Sequence, residues 1–100
     1  MNVYRGTNSH DVTVNGSPLH PCTDVINHSP TGFAWGYAGS GPAQLALAIM
    51  CNEFGTDVQR HPAPYQEFKR DVISSLKPES FQLTSQDVIN WLAQYRSKKV

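Results

Sequence analysis

The chain has 100 residues, of which 39% are apolar and 16% charged. That is the size and composition of one folded domain with a real core, and it excludes wholesale disorder. Eight Lys and Arg balance eight Asp and Glu, so the chain lacks the electrostatic footprint of a general nucleic-acid binder, whose affinity rests on phosphate neutralisation.

The N-terminus Met1-Asn2-Val3-Tyr4-Arg5-Gly6 has no apolar segment of the signal-peptide kind. The longest apolar run, Leu45 to Cys51, is too short to cross a bilayer. Two cysteines, Cys22 and Cys51, make no disulfide framework. A cytoplasmic protein with reduced thiols is expected.

In chain order, Asn2–Thr7 and Asp11–Val14 are β-prone, and Asn15-Gly16 after the alternating Val12-Thr13-Val14 predicts a hairpin returning through Ser17–Leu19. Residues 20–31, punctuated by Pro21, Asn27, Ser29 and Pro30, read as loop with a brief turn or strand at Asp24–Ile26. Gly32 to Tyr37 reads as a strand, with Phe33, Trp35 and Tyr37 on one face and small residues on the other. A helix follows from Ser40, taken as its N-cap, to about Phe54, with Gly55 as the stop. Leu45, Ile49 and Phe54 mark one side and Leu47, Met50 and Cys51 the other, so this helix is expected to be central and buried.

Thr56–Pro64 connects to a second helix. There Tyr65, Phe68, Val72 and Leu76 recur at helical spacing up to about Lys77, before Pro78. Ser80–Leu83 is a short strand candidate. Thr84 with Asp87 forms a capping-box variant at the start of a third helix, whose stripe is Val88, Trp91 or Leu92, and Tyr95. The basic cluster Arg96-Ser97-Lys98-Lys99 complements the negative end of that helix.

Trp35-Gly36-Tyr37-Ala38-Gly39-Ser40-Gly41-Pro42, leading into Leu45-Ala46-Leu47-Ala48, resembles the signature of a small uncharacterised family of phages, plasmids and other bacterial mobile elements. Tyr4-Arg5-Gly6 is similar to that family's opening, and the resemblance extends through residue 54. It implies an accessory protein in a bacterial cytoplasm and no particular activity.

Each group that carries chemistry has a structural counterpart. Gly39-Ser40-Gly41 can present backbone N–H groups to an anion at a helix N-terminus, with Trp35 or Tyr37 beside it. The run has no P-loop lysine, no third glycine at dinucleotide spacing, and no G-x-S-x-G elbow around Ser40. A helix cap explains the same residues. His20, Cys22 and His28 are weak zinc candidates, lacking paired ligand spacing. Cys22 near His20 and Asp24 suggests a thiol nucleophile, whereas Cys51 reads as a small hydrophobe. Trp91 and Tyr95 are candidates for a protein-contact surface, because two large residues, Trp91 and Leu92, compete for the centre of one stripe.

The expectation is therefore one α+β domain over residues 1–100, mainly β over 1–37 and mainly α over 41–97. A small, mostly antiparallel sheet of three or four strands packs on a central helix, with two further amphipathic helices. The expected role is a non-enzymatic accessory protein that binds another protein, with no cofactor and no metal. The rival readings are a small-ligand or anion binder at Gly39–Gly41 and a nucleic-acid module.

Overall fold

The computed structural model describes residues 1–30 and 32–98. Thr31, at the end of the expected loop, and Lys99, in the basic cluster, lie outside them. The elements are β1 (Val3–Gly6), β2 (Val12–Val14), β3 (Ser17–Pro18), α1 (Ser40–Phe54), α2 (Tyr65–Asp71), β4 (Phe81–Thr84) and α3 (Ser85–Lys98). Single 3-10 turns lie at Val58–Arg60 and Ile73–Ser75. The fold is α+β: an antiparallel sheet in the order β3-β2-β1-β4, with three helices.

The hairpin forms as its Asn-Gly turn requires. Asn15 and Gly16 both take positive φ, at 53° and 86°, the mirror-image turn that matches strand twist. The Asn15 side chain also accepts a hydrogen bond from the Val3 backbone N–H at 2.9 Å, which ties the turn to β1.

The expected strand at Gly32–Tyr37 is absent, and β4 takes the fourth place in the sheet, pairing Tyr4 with Leu83 and Gly6 with Phe81. The physical reason lies in the glycines. Gly32 (φ 129°) and Gly36 (φ 85°) bend the segment out of extended geometry. Its aromatics consequently do not share a face: Trp35 is buried, Phe33 half-buried and Tyr37 54% exposed. The segment is instead held from the side. The Gly36 N–H donates to the Ile73 carbonyl (3.0 Å), and the Trp35 indole N–H donates to the Lys77 carbonyl (3.0 Å). The Trp35 ring meets Phe81 edge-on at 4.8 Å.

That tether also explains why the second helix stops early. It was expected to reach Lys77, but α2 ends at Asp71. Val72 departs from helical φ, and the Ile73 carbonyl accepts from the Gly36 N–H and, in a 3-10 turn, from the Leu76 N–H, so the α-helical ladder does not continue. The Ser74 hydroxyl donates back to the Arg70 carbonyl at 2.6 Å, a local competitor of the same kind. The start of α3 is as its sequence demands: the Thr84 hydroxyl accepts from the Asp87 N–H, and the Asp87 carboxylate accepts from the Thr84 N–H.

Helix α1 is the centre of the molecule, with every residue from Gly41 to Cys51 buried. Tyr4, Val12, Phe81 and Leu83 from the sheet, Phe68 from α2 and Val88, Trp91 and Leu92 from α3 join it in one core. Inside it lies a wholly buried amide, Gln44, with all its main hydrogen-bonding capacity filled. Its oxygen accepts from the His28 and Ser29 N–H groups at 2.7 and 3.1 Å, and its nitrogen donates to the Pro21 and Ile26 carbonyls at 2.6 and 3.1 Å. The irregular 20–30 loop thus has its backbone satisfied by one side chain of α1. Gln44→Ala strands four backbone groups and is expected to destabilise the fold by about 3 kcal/mol or more, read as a lower urea midpoint; a loss below about 1 kcal/mol would mean that water replaces the amide.

Candidate functional site

A cleft of about 640 Å³ opens at the start of α1. One wall is the β1–β2 connection, Ser9, His10 and Asp11; the other is Phe33, Ala34 and Tyr37 with Ser40 and Gly41; Leu19, Pro21 and Ser29 close it from the loop side. The β1–β2 wall is a tight turn, with the His10 N–H donating to the Thr7 carbonyl and the Thr7 N–H to the Asp11 carbonyl. His10 itself takes a positive φ of 66°, and its ring packs against Trp35 at 5.3 Å. The Ser9 hydroxyl donates directly to the Asp11 carboxylate at 3.0 Å. The lining contains no lysine or arginine, and Asp11 is its one carboxylate. Its chemistry is hydroxyl groups and apolar surface, suited to a neutral, partly apolar occupant better than to a polyanion.

The sequence-derived candidates divide here. Tyr37, Ser40 and Gly41 line the cleft; Trp35 and Gly39 do not. Trp35 is filled on its faces by Phe81 and His10 and has no surface to offer a ligand. Ser40 is not the N-cap: Gly39 holds that position, no side chain caps the helix, and Ser40 is its exposed first residue. Gly41 is required for another reason. A Cβ there would stand 2.7 Å from the Ala34 Cβ, so the glycine lets the 32–37 segment cross directly over α1.

The metal candidates are drawn apart. The His20 ring accepts from the Cys22 N–H at 3.0 Å, the His28 ring bonds the Tyr65 hydroxyl on α2, and Cys22 lines a separate cavity with Cys51 of α1. Among the described residues no three His, Cys, Asp or Glu side chains gather around a point fit for a metal. Burial raises both thiols above their ordinary value, and the neighbouring Cys22 adds to the rise at Cys51, which reaches about 12. Cys22 is therefore a protonated thiol at neutral pH, opposite to the activation a nucleophile needs.

The proposed contact pair is also engaged within the molecule. Trp91 is buried, meets Phe68 edge-on at 5.1 Å, stacks on Tyr95 at 5.3 Å and donates its indole N–H to Asp71 at 2.9 Å. Leu92 is buried as well, so both large residues find room, because α3 packs along a broad arc and leaves Ile89 on the outside.

Sequence reading missed a second polar cluster, around Glu53. One carboxylate oxygen accepts from the Asn2 amide (2.8 Å), the Tyr4 hydroxyl (2.6 Å) and the Ser85 hydroxyl (2.9 Å), joining β1, α1 and the start of α3. The signal was an acid in the last turn of a helix, where the dipole opposes it and donors must compensate. Burial, followed by the hydrogen bond to Glu53, raises the Tyr4 phenol well above its ordinary value.

These features define a small α+β protein with a central buried helix and an open cleft at that helix's first turn. The chain belongs to the family of unknown function DUF6166, which matches residues 3–94. No curated protein and no solved structure matches it.

Two tests follow from this geometry. Gly41→Ala is expected to cost about 1–3 kcal/mol in thermal or urea unfolding, as overpacking does, and Ala34→Gly in the same chain is expected to restore part of the loss. Failure of that rescue would separate Gly41 from Ala34. The second test is alkaline titration. A folded-state phenol value raised above the unfolded one contributes stability that is complete below the ordinary tyrosine value of 10.0 and lost as pH rises past it. Tyrosinate absorbance is expected to show Tyr4 ionising only as the circular dichroism of the fold collapses. Ionisation of all four tyrosines near the ordinary value in an intact fold would contradict the burial of Tyr4.

Proposed function

We propose that this is a non-catalytic accessory protein that acts by binding another protein along the cleft beside Tyr37. The observation that carries this reading is Tyr37 itself: a large aromatic side chain, 54% exposed at the edge of an open cleft with hydroxyl-rich and apolar walls. Exposed tyrosines beside shaped, weakly charged surface are favoured anchors of protein interfaces. The balanced net charge and the lack of cationic side chains in the cleft favour a protein partner over nucleic acid.

The setting rests on the resemblance of the Trp35–Ala48 run to proteins of bacterial mobile elements. On that ground the partner is a host or competing defence component, met in the bacterial cytoplasm. No helix among the described residues is long and apolar enough to cross a membrane.

A second reading, a small anion at the first turn of α1, is favoured by one observation: Ser40 and Gly41 face the cleft at a helix start that no side chain caps. Affinity capture from bacterial lysate with wild-type protein and with a folded Tyr37→Glu variant separates the two. Under the protein-binding reading a stoichiometric partner is captured by the wild type and falls at least about tenfold with the variant, as loss of an interface anchor does. Equal capture by both proteins, or a small molecule retained by both, counts against it.

A further inference from the structure

We propose that Cys22 and Cys51 are a disulfide-forming pair that staples the 20–30 loop to the central helix when the protein meets an oxidising thiol couple. Cys51 lies on α1, one turn from Ala48 and two turns from Gln44, so the three residues share one face of the helix at i, i+4 and i+7. That face is the one that carries the loop. Gln44 fixes the Pro21 carbonyl, immediately before Cys22, and the Ile26 carbonyl beyond it.

Cys22 is held in place from its own side too. Its N–H donates to the His20 ring, its carbonyl accepts from the Val25 and Ile26 N–H groups, and its backbone takes a left-handed φ of 58°. The result is that Cys22 and Cys51 line the same cavity of about 180 Å³, together with Leu19, His20, Ala48 and Asn52. Both are free thiols in the structure. Two cysteines 29 positions apart, placed side by side by a rigid helix and an anchored loop, already have most of the closure entropy of a disulfide removed by the fold.

The reaction needs an external two-electron acceptor, here a low-molecular-weight disulfide such as glutathione disulfide. One cysteine loses its proton and attacks a sulfur of that disulfide, forming a mixed disulfide and releasing one glutathione thiolate, which takes up a proton. The second cysteine then loses its proton and attacks the protein-side sulfur, forming the Cys22–Cys51 bond and releasing the second glutathione. The protein loses two hydrogens and the acceptor is reduced to two thiols. Because burial keeps both thiols protonated, the first step is slow at neutral pH and accelerates as pH rises.

The consequence falls on the loop. Leu19 and Pro21, which wall the large cleft, adjoin His20 and Cys22, so the staple fixes that wall covalently to α1. The inference does not depend on what the cleft binds.

The test is incubation of the native protein with glutathione disulfide at mildly alkaline pH, read by intact mass, non-reducing peptide mapping and thermal unfolding. The expected product is a monomer lighter by two hydrogens, with the peptides holding Cys22 and Cys51 linked and a melting temperature raised by about 10 °C or more. Cys22→Ala and Cys51→Ala are each expected to give no internal link and no such rise. If either variant fails to fold, the wild-type peptide map alone decides. Single glutathione adducts, intermolecular dimers, or a native chain that stays fully reduced while the urea-unfolded chain forms the link would each overturn the proposal.

Discussion

The structure depends on a single buried amide. A loop from residue 20 to 30 with no regular secondary structure has to lie against a helix whose face is otherwise apolar, and its inward-facing peptide groups need partners there. Gln44 supplies two acceptor and two donor interactions at one point. Any apolar residue in its place would pack, but would leave the loop's backbone desolvated and unbonded. The amide thereby turns an irregular segment into a fixed wall. That wall in turn bounds the cleft on one side and sets Cys22 beside Cys51 on the other.

Glu53 does for the opposite end of α1 what Gln44 does for its start. Its carboxylate gathers donors from the first strand and from the start of the last helix, so the N-terminal strand and α3 are both registered against the C-terminal turn of α1. The Ser85 hydroxyl reinforces this by accepting from the Asn2 N–H, while the Ser85 N–H donates to the Asn2 carbonyl. From Leu45 to Cys51, between these two polar anchors, the helix is apolar on every side. Position along the axis is therefore specified by hydrogen bonds, while hydrophobic burial supplies the general driving force.

Local chemistry was legible where it acts locally. The Asn15-Gly16 turn, the Thr84–Asp87 capping box, the end of α1 at Phe54 and the short strand near Phe81 could all be read from adjacent residues. What could not be read was decided by partners far away in the chain. Period-two aromatics over Phe33–Tyr37 looked like a strand, but positive φ at Gly32 and Gly36 and the bond to Ile73 bend that segment across α1. The same bond shortens α2. In the site, Gly39, Ser40 and Gly41 looked like a unit, yet each has its own role: a cap position, an exposed first residue and a close crossing over Ala34. Only side-chain proximity in three dimensions shows that Trp35 is enclosed and Tyr37 is not.

The placement of β1 between β2 and β4 has a consequence for how the chain comes into being. Arg5 and its neighbour Gln82 are 77 residues apart, yet they meet across the same ladder. During synthesis the hairpin β1–β2 emerges well before β4, so one side of β1 stays unpaired until residues 81–84 have been translated. That open strand edge is short, carries Arg5 and ends at Gly6, features that discourage pairing with a neighbouring nascent chain. The sheet is thus closed by a strand from far along the chain, and the capping box that follows β4 immediately starts the helix that covers the core.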